Sequence, residues 1–215
     1  GGGLINELNI YGPPPIEEMT EHLIGENGAF SPDLRARTKH PASIDIFEKR
    51  GGVPPRKWPK PRCHELEPNV TVQKDGWSIT TGKVSHVQPY LNSLAYRIDS
   101  EEGSFVYSGD SGPSEHLVEL AKNCNVLIHM CHYISGTEPS PHYINACGGH
   151  REVAETAAKA KVKILVLTHM LNQMDVPGVR EKILKEMGDI YGGTIIWGED
   201  LMEIPLEPWS PAAYD

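Results

Sequence analysis

The sequence lacks the cysteine patterns and the apolar runs that mark several common protein classes. Its four cysteines are Cys63, Cys124, Cys131 and Cys147, and no two of them stand at C-x-x-C spacing. Neither a zinc ribbon nor a thioredoxin-like redox site is therefore predicted. Isolated cysteines fit a reducing compartment, so we expect a cytoplasmic location. No apolar run approaches the ~18 residues that a membrane-spanning helix needs, and we predict that the chain has no membrane span.

The sequence also lacks an excess of positive charge. Its 215 residues include 20 Lys and Arg against 29 Asp and Glu, which gives a net charge of -9. A general nucleic-acid surface needs Lys and Arg to neutralise phosphates. The charge therefore disfavours nucleic acid as a partner and favours a small-molecule substrate. The length suits one sizeable core, and we predict a single domain over residues 1–215.

Three potential metal ligands stand at the ends of short apolar segments that are typical of strands. His86 ends the segment 82–86, Asp110 ends 104–110, and His169 ends 163–169. Imidazole and carboxylate groups suit Zn²⁺ and similar divalent ions, and strand ends hold such groups rigidly at the edge of a sheet. Three strands that each deliver one ligand indicate part of a two-metal hydrolytic site.

The pattern along the chain predicts an α/β fold. The apolar spacing predicts a strand over residues 5–11 and a helix over 16–24. Alternation and turn signals then predict a β-rich stretch followed by alternating helices and strands. The predicted strands lie near residues 70–74, 77–86, 93–99, 103–109, 125–130, 163–168 and 194–197, and the predicted helices near 114–122, 150–160 and 177–188.

A proline-rich segment at about residues 28–70 interrupts this pattern. It carries many charges and shows little periodicity, but Ile44, Ile46, Phe47 and Trp58 give it apolar side chains to bury. Long loops inside compact domains are usually functional or disordered. We therefore predict an ordered loop or cap here. A cap on the substrate side of the molecule and a purely structural role are equal alternatives for it.

The order of several segments resembles the metallo-β-lactamase superfamily, and the likeness is greatest to the branch with ribonuclease Z, arylsulfatase-like and lactonase-like hydrolases. The segments that carry the likeness are Leu8-Asn9-Ile10-Tyr11-Gly12-Pro13, Val84-Ser85-His86, Leu94-Ala95-Tyr96-Arg97-Ile98, Tyr107-Ser108-Gly109-Asp110-Ser111-Gly112-Pro113 and Leu165-Val166-Leu167-Thr168-His169. The resemblance implies an αββα sandwich. It also implies that His86 binds one metal, Asp110 bridges two, and His169 binds the other. The implied cofactors are two divalent ions, Zn²⁺ in the first place, with Mn²⁺ or Fe as alternatives.

One hallmark of the superfamily does not occur in the sequence. The string His-x-His-x-Asp-His, which supplies up to four metal ligands in the superfamily, is absent. We therefore expect the chain to be the C-terminal two thirds to three quarters of the fold. In that case an N-terminal segment of the same precursor, present as a second chain, completes the site. A homo-oligomer that covers the same apolar surface is the alternative.

Two further histidines are candidate catalytic residues beside Asp110. Ribonuclease Z has a His-Glu-Ala-Thr string whose Glu works with a later histidine. Here the matching residues are His129-Met130-Cys131-His132, so Met130 replaces that Glu, while His150 matches the later histidine. A ribonuclease-type proton relay is thereby disfavoured, but His132 or His150 can still act as a general acid or contact the substrate.

The resemblance implies a metal-dependent hydrolase that acts through a metal-bound hydroxide. The expected substrate is a small-molecule ester, lactone, phosphodiester or sulfate ester. Two alternatives stay open. One is a degenerate relative that keeps the fold as a non-catalytic or structural subunit. The other is a ribonuclease Z-like nuclease, which the acidic charge and the missing Glu disfavour.

Overall fold

A computed structural model describes residues 8–206 of the protein. The chain divides into two compact units, one that ends at Glu67 and one that begins at Pro68. Each unit is described by itself below. The prediction that residues 1–215 form a single domain stays a prediction.

The first unit combines two short strands with three helices. Its elements are β1 (Asn9–Gly12), α1 (Ile16–Ile24), α2 (Ser31–Lys39), α3 (Pro41–Lys49) and β2 (Arg62–Glu65). Strands β1 and β2 run parallel, and the His64 ring stacks on Tyr11 with the ring centroids 4.5 Å apart. The Trp58 indole N–H donates a hydrogen bond of 2.8 Å to the carbonyl oxygen of Ile24. Side-chain contacts of this kind order the long connection between α3 and β2.

The proline-rich segment differs from the prediction because it contains helices. Helices α2 and α3 lie within it, and Pro32 and Pro41 each occupy the first turn of one of them. The backbone N–H groups of the first helical turn have no acceptor within the helix, so proline is tolerated there, and its ring presets the helical φ. These prolines therefore mark helix starts. The predicted strand 5–11 appears as β1, and residues 5–7 lie outside the described residues.

The second unit is built on one seven-stranded sheet. Its strands are β3 (Thr71–Lys74), β4 (Trp77–Lys83), β5 (Leu94–Ser100), β6 (Gly103–Tyr107), β7 (Val126–Met130), β8 (Ile164–Thr168) and β9 (Thr194–Trp197). They lie side by side in chain order. The pairs from β3 to β6 are antiparallel and those from β6 to β9 are parallel. The predicted β-rich stretch followed by βα units is thus present.

Helices and a main apolar core cover one face of this sheet. The helices that supply this core are α4 (Glu115–Leu120), α6 (His150–Ala160) and α7 (Val179–Gly188), and a further helix of the unit is α5 (Pro141–Ala146). Val106, Leu127 and Leu165 are completely buried and share a cluster with Val153 of α6 and Ile183 of α7. Burial of such side chains contributes about 25 cal/mol per Å² of apolar area. This core fixes the sheet on which the candidate ligands stand.

The opposite face of the sheet carries a smaller cluster. Val126, Ile164 and Val166 are buried there, with Ile204 and Leu206 packed against them. All four cysteines are free thiols. None of the helices between residues 8 and 206 has the length and hydropathy to cross a membrane.

Candidate metal centre

Strand direction brings the three predicted ligands to one edge of the sheet. Strands β6 and β8 belong to the parallel part, and β4 points the same way as β6 because β5 is antiparallel to both. His86, Asp110 and His169 each follow the carboxyl end of one of these strands. In sheets of this kind, functional groups gather at the carboxyl ends of the strands.

The two histidines flank opposite oxygens of one carboxylate. His86 Nε2 lies 4.0 Å from Asp110 Oδ2, and His169 Nε2 lies 3.6 Å from Asp110 Oδ1. The Asp110 side chain is 46% exposed, so the centre opens to solvent. A carboxylate with one imidazole at each oxygen fits the predicted role of a ligand shared by two metal ions.

A backbone carbonyl orients the His86 ring. His86 Nδ1 lies 2.7 Å from the carbonyl oxygen of Ala146, the last residue of α5. A carbonyl can only accept, so Nδ1 carries the proton and Nε2 keeps its lone pair on the side of Asp110. Metal-binding histidines typically donate their second ring nitrogen to such a partner. The ring is therefore set to bind a metal through Nε2.

His132 occupies the corresponding place beside His169. The Nδ1 atoms of the two rings are 2.9 Å apart, and His132 Nδ1 also lies 3.0 Å from the carbonyl oxygen of His169. Because the carbonyl oxygen can only accept, the proton at this position lies on His132 Nδ1, and the two contacts hold the rings side by side. His169 has a φ of +60°, a left-handed conformation that costs a non-glycine residue about 1–2 kcal/mol. Such strain is typical of functional positions.

The turn that carries Asp110 is held by several backbone contacts. Gly109 adopts a φ of +60°, which glycine tolerates without a Cβ clash. The Ser111 N–H points at the Met130 sulfur at 3.3 Å, and the Gly112 N–H donates to the Ser85 carbonyl oxygen at 2.8 Å. Met130 thus supports the backbone next to Asp110.

The donor set fits a divalent metal pair but leaves it incomplete. Two atoms that share an ion at about 2.1 Å stand about 3–4 Å apart, and both His-to-Asp110 distances fall in that range. Each ion would then have one imidazole and one carboxylate oxygen from this chain. Within residues 8–206, no group of three or more His, Cys, Asp or Glu side chains is close enough to hold a single ion. Tetrahedral Zn²⁺ needs four ligands, so further donors are required.

The structure gives His150 two protein partners. It is 1% exposed; Ser135 N–H donates to its Nδ1 at 3.0 Å, and its Nε2 lies 3.0 Å from Glu186 Oε2. Glu186 also accepts from Arg151 at 2.7 Å. The hydrogen bonds from His150 and Arg151 lower the pKa of Glu186 to about 2. The predicted catalytic role of His150 stays a prediction, now for a ring held between α6 and α7.

Cys147, Tyr143 and Gln88 are further neighbours of the centre, and of these the sequence had singled out only Tyr143, as a residue that lines the pocket. Burial and the negative charge of Asp110 raise the pKa of the Cys147 thiol, which favours its protonated form. The Tyr143 ring lies beside His132, with centroids 6.0 Å apart. Gln88 bridges the His86 turn: its side chain accepts from His86 N–H at 2.8 Å and donates to the Val84 carbonyl at 2.9 Å. No local pattern marks Cys147 or Gln88, because the contacts form only when the loops meet.

Comparison with known proteins identifies the family. The Beta-lactamase superfamily domain matches residues 31–170, which is more than half of the chain. The chain belongs to this family. A protein named ribonuclease Z from Mycobacterium bovis is 29% identical over 206 residues, which cover 94% of this chain and 68% of that protein. One of the same name from Mycobacterium tuberculosis H37Ra is 28% identical, with 94% and 70% covered.

Solved structures of other proteins share the fold of this chain. The metallo-beta-lactamase fold protein YhfI from Bacillus subtilis matches with a TM-score of 0.56 and 21% identity, over 74% of this chain and 60% of that one. Human tRNase Z, short form, matches with a TM-score of 0.56 and 13% identity, over 93% and 66%. The predicted superfamily and metallo-β-lactamase fold are confirmed. The chain spans about three fifths to two thirds of the length of these two solved chains.

Proposed function

We propose that this chain carries part of the binuclear centre of a metal-dependent hydrolase. The observation that supports the proposal most directly is the placement of His86 and His169 at opposite oxygens of Asp110. Divalent ions at such a centre lower the pKa of water toward neutrality and polarise the bond to be cleaved. The chain's own residues would hold and orient these ions, Zn²⁺ in the first place.

Each residue has a distinct role in this proposal. Asp110 would hold both ions through its two carboxylate oxygens, while the Ala146 carbonyl keeps the Nε2 lone pair of His86 toward Asp110. His132 donates through Nδ1–H to the backbone carbonyl of His169 and would hold the His169 ring in place. The His132 ring is also our candidate for a general acid beside the centre. The missing ligands would come from an N-terminal segment or from another copy of the chain.

Several substrate classes suit a centre of this kind. Esters, lactones, phosphodiesters and sulfate esters all suit attack by activated water at such a centre. A small phosphodiester is our first choice, because relatives named ribonuclease Z share the superfamily and RNA is itself a phosphodiester.

RNA is the second candidate substrate. The sequence analysis disfavoured nucleic acid because of the net charge of -9. The names of the relatives stand against that exclusion, since they describe ribonucleases. Net charge counts the whole surface, whereas one strand of RNA needs only a local track of suitable groups.

A substrate panel with matched variants tests both candidates. The protein is purified with any polypeptide that accompanies it, loaded with Zn²⁺ or Mn²⁺, and assayed on bis(p-nitrophenyl) phosphate, p-nitrophenyl acetate, p-nitrophenyl sulfate and a tRNA precursor. We expect phosphodiesterase activity that Asp110→Asn abolishes together with metal binding, while the surface variant His22→Gln keeps both.

The outcomes separate the competing functions. Equal metal content and activity in Asp110→Asn and the unaltered protein would overturn the proposed centre. Cleavage of the tRNA precursor in preference to the small diester would favour the ribonuclease. No metal and no hydrolysis, with the fold intact, would support the non-catalytic relative.

A further inference from the structure

A cleft lies between the end of β4 and the start of α4. Its volume is about 270 Å³. The residues that line it are Lys83, Val84, Ser85, Gln88, Ser114 and His116. Val84 is 1% exposed and closes the cleft toward the core, and the other side chains are polar or basic. No carboxylate lines this cleft, although acidic residues outnumber basic ones in the chain as a whole.

Backbone contacts hold the two walls of the cleft. The Gly112 N–H bond to the Ser85 carbonyl, 2.8 Å long, joins the segment before α4 to the segment after β4. The Gln88 side chain stabilises the wall that follows β4 through its bonds to His86 N–H and the Val84 carbonyl. Both groups of the Gln88 amide are therefore used within the protein. A preformed cleft of this kind loses little conformational freedom when it takes a ligand.

The remaining polar side chains of the cleft are available to a ligand. Across residues 8–206, no hydrogen bond or ion pair engages the side chains of Lys83, Ser85, Ser114 or His116. They offer an ammonium group, two hydroxyls and an imidazole. A compact anion with several acceptor oxygens matches this set, because ammonium and hydroxyl donors can each bind a different oxygen. A neutral ligand would leave the ammonium without a counter-charge.

We propose that this cleft binds a phosphate group. Its walls continue into the segments that carry the candidate metal ligands, since His86 lies between Ser85 and Gln88, and Asp110 precedes Ser114 by four positions. A phosphate held here would belong to the part of a substrate that adjoins the cleaved bond. This role in substrate binding rests on the proposed hydrolase function, whereas phosphate binding by itself does not.

The test measures inorganic phosphate binding to the metal-free chain. Backbone and imidazole NMR signals are followed during a phosphate titration in EDTA, with ionic strength held constant by chloride. We expect saturable shifts at Lys83, Ser85, Ser114 and His116. Loss of one charge-assisted hydrogen bond should weaken binding about tenfold or more in Lys83→Ala. Lys122→Ala removes the same charge from an exposed position beyond the C-terminal end of α4, where Lys122 pairs with Glu119 at 3.5 Å, and should bind phosphate as the unaltered chain does.

Two further ligands identify the source of the phosphate. A short oligoribonucleotide that competes with inorganic phosphate, and is weakened by Lys83→Ala, indicates a polynucleotide. Competition by a nucleoside monophosphate but not by the oligoribonucleotide indicates a small phosphate ester. Either result supports the proposed site.

Other results would overturn the proposal. They are the absence of saturable shifts, equal shifts with chloride alone, or equal weakening by Lys83→Ala and Lys122→Ala. Loss of phosphate binding in Asp110→Asn would also overturn it, because the anion would then sit at the metal centre. Phosphate binding without any metal-dependent hydrolysis would leave the cleft in place and reject only the proposed enzymatic function.

Discussion

The buried histidine of β7 should make the protein sensitive to mild acid. His129 is completely buried, and neither of its ring nitrogens has a hydrogen-bond partner within the described residues. It points to the same side of β7 as Leu127, which belongs to the main core. Burial without a counter-charge lowers the pKa of His129 from 6.5 to about 4. The folded protein therefore holds this ring neutral at pH values where the unfolded chain protonates it.

The sign and size of the effect follow from these pKa values. Below pH 6.5 the unfolded state binds a proton that the folded state does not, so stability falls as the pH falls. The loss continues down to about pH 4, where the folded state also takes up the proton. A lowering from 6.5 to about 4 corresponds to about 3 kcal/mol in total. Between pH 7 and pH 4.5 we expect a loss of about 2 kcal/mol.

Urea unfolding of His129→Leu at pH 7, 6, 5 and 4.5 measures this contribution. At pH 7 the variant should be at least as stable as the unaltered protein, because an apolar side chain replaces an unpaired polar one. Its advantage should grow by about 2 kcal/mol by pH 4.5. His142→Leu, at an exposed position of α5, serves as the control and should keep the original pH dependence. Parallel stability curves for His129→Leu and the unaltered protein would refute the assignment of a neutral buried His129.

Four further predictions concern the metal centre and the core. Because residues 8–206 bring only two protein ligands to each ion, zinc titration of the isolated chain should not give two tight stoichiometric sites, and two such sites would contradict the partial centre. In the assembled enzyme, Asp110→Ala should abolish hydrolysis and metal content. His150→Ala should lower the rate about 10–100-fold, which is the usual effect of mutating a residue that supports the metal ligands without binding the metal itself. Gly112→Ala should weaken metal binding and lower the melting temperature, because its Cβ would lie 2.5 Å from the Asn145 carbonyl oxygen and displace the Asp110 turn; an unchanged melting temperature and metal affinity would contradict this. Leu127→Ala should cost about 2–5 kcal/mol in urea unfolding, since Leu127 is completely buried.

The sequence by itself determined the order of the strands and the residues at their ends. Apolar runs such as 163–168 and turn signals are local, so they predict β8 and the other strands of the second unit closely. His86, Asp110 and His169 stood out because each ends such a run. Parallel strands then require these residues to meet at one edge, which the two His-to-Asp110 distances show. The two helices of the proline-rich segment were not predicted, because proline marks both loops and helix starts.

Only the tertiary structure decided what each of these side chains contacts. The bond between His86 and the Ala146 carbonyl spans 60 positions, and that between His150 and Glu186 spans 36. The phosphate cleft joins a strand end to a helix start through the Gly112 and Ser85 backbones. Local propensity does not encode such contacts, because they depend on how α5, α6 and α7 pack against the sheet. Side-chain chemistry named the candidate ligands, but packing decided their tautomers, their partners and which groups stay available to a substrate.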